Sequence, residues 1–275
     1  FLKKFQRFYS NEVIFTRYNC IRHFFNLKIK LLIFLKKNNL LMKTYTSEKP
    51  FVDVILPNYN KAEFLEDAIK SVINQTYKSW YLYVVDDCSK DDSGKILANF
   101  SNFKNIKIVK LNKNKGPSFC RNYAMRISRS KYIAFIDSDD SWLDDKLEKQ
   151  IFFMEKNNYT FTYSDYSSFF KNNEKKNFVK KTFISDNFNY KRFIKNASIN
   201  TTTMIIARSI LGSHRFRKIK LCEDYLFKCQ LLKDNIIAKK INENLAYYRI
   251  LPKSRSSRRL QNIYWTWYIN KNYNK

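Results

Sequence analysis

From Pro50 onward, short apolar runs alternate with stretches in which apolar residues recur about every three or four positions. Val52-Asp53-Val54-Ile55-Leu56 reads as a buried strand. Glu63 to Gln75 reads as a helix carrying Phe64, Leu65, Ala68, Ile69, Val72 and Ile73 on one face. Strands at Tyr81–Val85, Ile106–Leu111 and Tyr132–Ile136 follow, with helices at about Ser93–Phe100, Ser118–Ser128 and Asp144–Lys156. Strict alternation of short apolar strands and amphipathic helices predicts an α/β fold with a parallel, doubly wound sheet. Beyond Tyr159 the alternation loosens. Thr160–Tyr163, Thr202–Ala207 and Ala246–Ile250 read as strands, Asn172–Asn196 as a polar loop, and Glu223–Lys233 as a helix.

An open parallel sheet binds its ligands at the carboxyl ends of its strands. Those ends read Pro57-Asn58-Tyr59-Asn60, Asp86-Asp87, Asn112 to Gly116, and Asp137-Ser138-Asp139-Asp140. The last places three carboxylates directly after the run Tyr132–Ile136. Carboxylates crowded in this way repel one another unless a positive group sits among them, and a divalent metal is the usual one. Asp86-Asp87 repeats the design after Leu82–Val85. Two acidic strand ends in one alternating segment point to a metal-assisted nucleotide site. An Asp cluster capping the helix before Trp142 would explain part of the same pattern, and Asp140 is assigned that role.

The motifs Leu56-Pro57-Asn58-Tyr59-Asn60, Val85-Asp86-Asp87-Cys88-Ser89, Asn114-Lys115-Gly116-Pro117-Ser118 with Arg121-Asn122, Asp137-Ser138-Asp139-Asp140 and Cys222-Glu223-Asp224-Tyr225 stand in an informative order. Together with Tyr248-Arg249 and Ser254 they resemble family 2 glycosyltransferases of the GT-A fold, over about residues 52–255. The resemblance implies an inverting transfer of sugar from a nucleotide donor, UDP-linked by expectation, to a hydroxyl of a growing surface glycan. It implies Pro57, Tyr59, Asp87, Lys115, Arg121, Asp137 and Arg249 as nucleotide-sugar contacts, with Tyr59 against the base and Asp87 accepting from base or ribose. Asp137 and Asp139 would hold Mn²⁺ or Mg²⁺, which suit all-oxygen ligation completed by phosphate and water. Asp224 would be the general base. Arg249 and Ser254 would close over the diphosphate from a loop. The blander readings are a surface tyrosine for Tyr59, a turn aspartate for Asp87, solvated cations for Lys115 and Arg121, and helix-dipole complementation for Asp224. His214 reads as a loop histidine and Cys222 as a small buried residue.

Composition changes this picture in two places. The formal net charge of +28 raises an anionic membrane or a polyanion as partner, although abundant Lys beside only 3 Gly and 4 Pro is also the signature of compositional drift. The rival function is a non-catalytic basic protein that binds nucleic acid or anionic glycan through Lys175–Lys181 and Arg255–Arg259. Nucleic acid is not expected, because acidic strand ends repel phosphate. The five cysteines show no metal-ligand spacing and fit free thiols in a cytoplasmic, reducing compartment. No stretch reaches the ~18 apolar residues that span a bilayer, so any membrane contact is expected to be peripheral, at the inner face, with a lipid-linked acceptor. Residues 1–49 read as a basic aromatic extension, with Met42 as the expected natural start. Residues 50–255 read as the transferase domain, divided into a nucleotide-sugar half (50–145) and an acceptor half (146–255). Residues 256–275 read as a basic tail carrying Tyr264, Trp265, Trp267 and Tyr268.

Overall fold

The computed structural model describes residues 52–172, 175–182, 187–252 and 257–273. The chain divides into Phe1–Glu48 and Lys49–Lys275, and every described residue belongs to the second unit. The expected extension over residues 1–49 and Ser254 lie outside the described residues.

The first half is the predicted alternation. Strands β1 (Val52–Asn58), β2 (Trp80–Asp86), β3 (Ile106–Lys110) and β4 (Tyr132–Phe135) are joined by helices α1 (Ala62–Ile73), α2 (Ser93–Ala98) and α3 (Pro117–Ile127). β1 pairs in parallel with both β2 and β4, and β2 with β3, giving the order β3-β2-β1-β4. Chain direction across the sheet reverses between β1 and β4, and a ligand crevice is expected at that switch point. Val52, Val54, Ile55 and Leu56 are fully buried, as are Ile133 to Ile136.

The charged exception inside β1 is Asp53. Its carboxylate accepts the Arg129 and Ser130 amides at 2.7 and 2.6 Å, the Ser130 hydroxyl at 2.9 Å and the Arg208 guanidinium at 2.9 Å. A buried carboxylate is tolerable only when its lone pairs are filled, and here four donors lock the entry to β4 against β1.

The second half departs from the expected pattern. The sheet continues through β8 (Ile205–Ala207), β6 (Phe161–Asn172), β9 (Lys239–Arg249) and β5 (Ser141–Trp142), and β7 (Lys175–Thr182) pairs with β6. The β4–β8, β8–β6, β6–β7 and β9–β5 pairs are antiparallel and β6–β9 is parallel, so the sheet is mixed. Two predicted strands prove much longer, Phe161–Asn172 and Lys239–Arg249. Part of the expected polar loop at 172–196 is β7 and the short helix α5 (Tyr190–Phe193). β7 escapes the apolar signal because Lys and Asn fill it. The strand expected at Thr202–Ala207 is split into a 3₁₀ turn, Thr201–Thr203, and β8, because the Asn200 side chain accepts the Thr202 amide and turns the chain.

Helices α4 (Lys146–Asn157), α6 (Glu223–Lys233) and α7 (Arg259–Asn272) complete the second half. The core joins both halves through aromatics: Phe216 stacks on Phe227 at 4.0 Å, and both meet Phe135 edge-on. At the start of α4, Lys146 is fully buried. Its ammonium donates to Gln150 and to the Thr203 carbonyl and lies over the Trp142 ring. Burial drives its pKa down to about 7.

A lysine with a depressed folded pKa binds fewer protons when folded than when unfolded between about pH 7 and its ordinary value of 10.5. Stability therefore rises with pH through that window and is insensitive to this group below it. Lys146→Met should abolish that rise, and at pH 7 it should be neutral to stabilising by about 1–2 kcal/mol. Thermal melts of both proteins across pH 6–10 check this; parallel curves would contradict it.

Candidate active site

The site is built where β1, β2 and β4 end. β1 runs to Asn58, whose amide donates to Asp86 at 2.7 Å, and then releases Tyr59, which is 44% exposed. An exposed ring at a strand end is available for stacking on a planar ligand. Pro57 is on β1 opposite Val85. Asp87 is almost wholly buried, and both of its oxygens are engaged: the Lys115 amide donates to Oδ1 and the Gly116 amide to Oδ2, each at 2.7 Å. Asp87 thus fixes the loop that starts α3. Gly116 holds φ +86° directly before Pro117, a left-handed position that favours glycine, and Pro117 opens the helix. The Lys115 ammonium lies over the Phe119 ring at 4.1 Å.

The acidic loop after β4 is matched residue by residue. Asp137 accepts the Arg121 guanidinium at 2.6 Å, and Asp139 accepts the Lys61 ammonium at 2.7 Å. Asp140 points inward, accepting the Thr202 hydroxyl at 2.7 Å and the Arg249 amide at 2.9 Å. Burial, with Asp139 and Asp137 beside it, pushes its carboxyl well above the usual range. It is an internal anchor of the loop and caps no helix, contrary to the helix-capping role expected for it. Arg249 is on β9, not in a closing loop. Its side chain is 2% exposed, sandwiched between Phe64 and Phe169, with Nε donating to the Asp139 carbonyl. Arg249 therefore holds the acidic loop from beneath.

Arg121 is the bridge to the second half. It is buried, stacks on Phe216 and reaches Glu223 at 3.4 Å as well as Asp137. Burial alone would lower its pKa, but Asp137 and Glu223 more than offset this and keep it firmly charged. Next to Glu223, at the start of α6, Asp224 accepts the Thr201 hydroxyl at 2.9 Å and the Lys228 ammonium at 2.8 Å. Burial would raise its pKa, yet Lys228, with Arg121 and Thr201 behind it, holds it well below the usual carboxylate range. Its side chain keeps 36% exposure, so an ionised oxygen faces solvent. A cleft of about 350 Å³ opens between Asn114–Ser118 and Lys218–Lys220, with Glu223 in its wall.

Four participants are absent from the residues singled out on sequence: Lys61, Thr201, Thr202 and Lys228. Lys61 follows the Asn58-Tyr59-Asn60 strand end directly, so its place in the loop was readable although its partner was not. Thr202 accepts the Asp137 amide, donates to Asp140, and offers its carbonyl to the Trp142 indole. The signal for this turn was Asn200 before three threonines.

Two carboxylates, Asp137 and Asp139, each already neutralised by a side-chain cation, suit a divalent ion whose remaining ligands come from a diphosphate and water. No group of three or more His, Cys, Asp or Glu that could hold an ion unaided exists among the described residues.

Residues 53–218 match the family described as glycosyl transferase family 2. The chain belongs to that family. A glycosyltransferase of Bacillus subtilis (strain 168) assigned to teichuronic acid biosynthesis, TuaG, is 34% identical over 225 residues, covering 82% of this chain and 88% of that one. The Escherichia coli UDP-Glc:alpha-D-GlcNAc-diphosphoundecaprenol beta-1,3-glucosyltransferase WfgD is 34% identical over 218 residues, covering 78% and 83%. Staphylococcus aureus TarS 1-349 in complex with UDP-GlcNAc superposes with a TM-score of 0.64 at 22% identity; the likeness covers 75% of this chain and 60% of that one. This family 2 chain thus carries the expected GT-A type of α/β fold.

Within the family 2 site, Arg121 is the residue on which two acidic partners depend. Arg121→Ala should destabilise the domain by about 3 kcal/mol, since Glu223 is left buried and Asp137 unpaired. Urea denaturation of wild type, Arg121→Ala and Arg121→Ala/Glu223→Gln checks this. The double variant should recover part of the loss, and equal losses would contradict the bridge.

Proposed function

We propose that this chain is an inverting glycosyltransferase that moves a sugar from a UDP-sugar to a hydroxyl of a lipid-linked, growing surface glycan, at the cytoplasmic face of a membrane. The observation that carries the reading is the pairing of an acidic loop at the β1/β4 switch point with an ionised, half-open Asp224, the two coupled through Arg121 and Glu223. The names of WfgD and of the TarS complex supply UDP-linked donors, and WfgD a diphosphoundecaprenol-linked acceptor. Residues 50–145 form the nucleotide-sugar half and 146–255 the acceptor half.

Tyr59 stacks on the base, and Asp87 shapes the loop through which Lys115 and the α3 N-terminus face the diphosphate. Asp137 and Asp139 would hold Mn²⁺ or Mg²⁺. When bound, such an ion stabilises the negative charge that develops on the departing diphosphate. As the donor binds, Arg121 and Lys61 are placed to exchange carboxylate contacts for phosphate. Asp224 takes the proton of the acceptor hydroxyl, and that oxygen displaces the nucleotide in line, inverting the anomeric carbon. Asp224 is ionised at neutral pH and can accept a proton, while the Lys228 ion pair depresses its pKa and so limits its strength as a base. Basic binding without catalysis gives no reason for this arrangement of carboxylates.

A panel of nucleotide sugars, with Mn²⁺ or EDTA, tests the reading through release of the nucleotide. One UDP-sugar should be hydrolysed in the presence of metal, Asp139→Ala should abolish this, and Asp224→Asn should cut transfer by roughly 10²–10⁴-fold. Absence of nucleotide binding together with salt-sensitive binding to polyanions would overturn it. Lys228→Met should move the acid limb of the kcat/KM profile to higher pH, since it removes the cation that depresses Asp224. An unmoved limb would show that another group is the base.

A further inference from the structure

Helix α7 packs on the domain along one side only. Ile269 is fully buried, Asn262 and Thr266 meet the Cys222 sulfur, and Asn270 accepts the Tyr225 hydroxyl at 2.7 Å. The other side presents Leu260, Ile263, Tyr264 and Trp267, which are 84%, 60%, 54% and 54% exposed. Their spacing puts them on one stripe. The stripe continues into Lys271, whose ammonium lies 5.1 Å from the Trp267 ring. A helix that is packed along one side and carries an exposed apolar stripe on the other has a second surface to cover.

The charge around the stripe says what covers it. The segment Leu251–Lys275, which contains α7, has six Lys or Arg and no Asp or Glu. Alongside α7 runs Arg215–Lys220, tied to it by Arg217 over the Tyr273 ring, with Arg215, Arg217, Lys218 and Lys220 exposed. A second copy of a +28 chain would bring like charge to this face. Residues 1–41, with nine Lys or Arg and one Glu, would do the same. An anionic bilayer offers opposite charge together with an interfacial zone that takes up Trp and Tyr.

We propose that the α7 stripe and the adjoining Arg215–Lys220 segment form a docking surface for an anionic lipid bilayer. Leu260, Ile263, Tyr264 and Trp267 enter the headgroup boundary while the basic residues meet lipid phosphates. Lys218 and Lys220 also line the cleft beside Glu223. Docking here brings that cleft to the bilayer surface, where a lipid-linked acceptor emerges; this last step rests on the acceptor reading above, but the docking does not.

The test is co-sedimentation of the whole chain with vesicles of phosphatidylcholine alone or of equal parts phosphatidylcholine and phosphatidylglycerol. Tryptophan emission, UDP binding and thermal melting are recorded alongside. Wild type should bind the anionic vesicles with a blue shift and ignore the neutral ones. Ile263→Ser/Trp267→Ser should bind them roughly tenfold or more weakly, with melting and UDP binding unchanged. Equal vesicle binding by the variant would overturn the proposal. So would absence of binding at physiological salt, or a wild-type dimer that the variant converts to monomer. Failure of wild type to bind UDP would count against the catalytic reading and leave the vesicle result intact.

Discussion

Carboxylates crowd the carboxyl end of this sheet, and like charges so close destabilise the fold unless each has its own partner. The structure supplies one for each. Asp87 receives two loop amides, Asp137 receives Arg121, Asp139 receives Lys61, Asp140 receives Thr202 and the Arg249 amide, and Asp224 receives Lys228 and Thr201. These partners divide the carboxylates into an inward and an outward set. Asp87 and Asp140 are sealed against the protein. Asp137, Asp139 and Asp224 keep exposed edges and are paired with cations on long side chains that can exchange partners.

That arrangement couples the two halves of the domain. Arg121 joins the end of β4 to the first turn of α6, and the Thr201–Thr203 turn touches the acidic loop, Asp224 and the buried Lys146. The acidic loop and the first turn of α6 are thus linked by one guanidinium and one short turn. Buried ion pairs of this kind add little net stability against an apolar replacement. Their value here lies in setting geometry and protonation.

The first half of the fold was legible because its strands are short, apolar and regularly spaced, and because each ends in a polar motif. Beyond Tyr159 the physical signal weakens. β7 is rich in Lys and Asn, β5 is two residues long, and β6 and β9 are long strands whose register shifts near Asp165 break any simple period. The acidic loop and the Glu223-Asp224 pair were readable as residues. Their partners were not, because Lys61, Thr202 and Lys228 are unremarkable in sequence and gain meaning only when strands distant in the chain are neighbours. Arg249 shows the same limit from the other side: a motif residue placed by resemblance in a closing loop is, in space, a buried strut beneath Asp139.

The central claim is that the acidic loop at the β1/β4 switch point receives a nucleotide diphosphate with its cation. The most direct measurement is a crystal structure with UDP and Mn²⁺, with the ion located by anomalous scattering. The account predicts an anomalous peak bonded to Asp139 and to the diphosphate, the uracil ring against Tyr59, and Lys61 released from Asp139. A nucleotide bound elsewhere, or an anomalous peak away from Asp137 and Asp139, would contradict it.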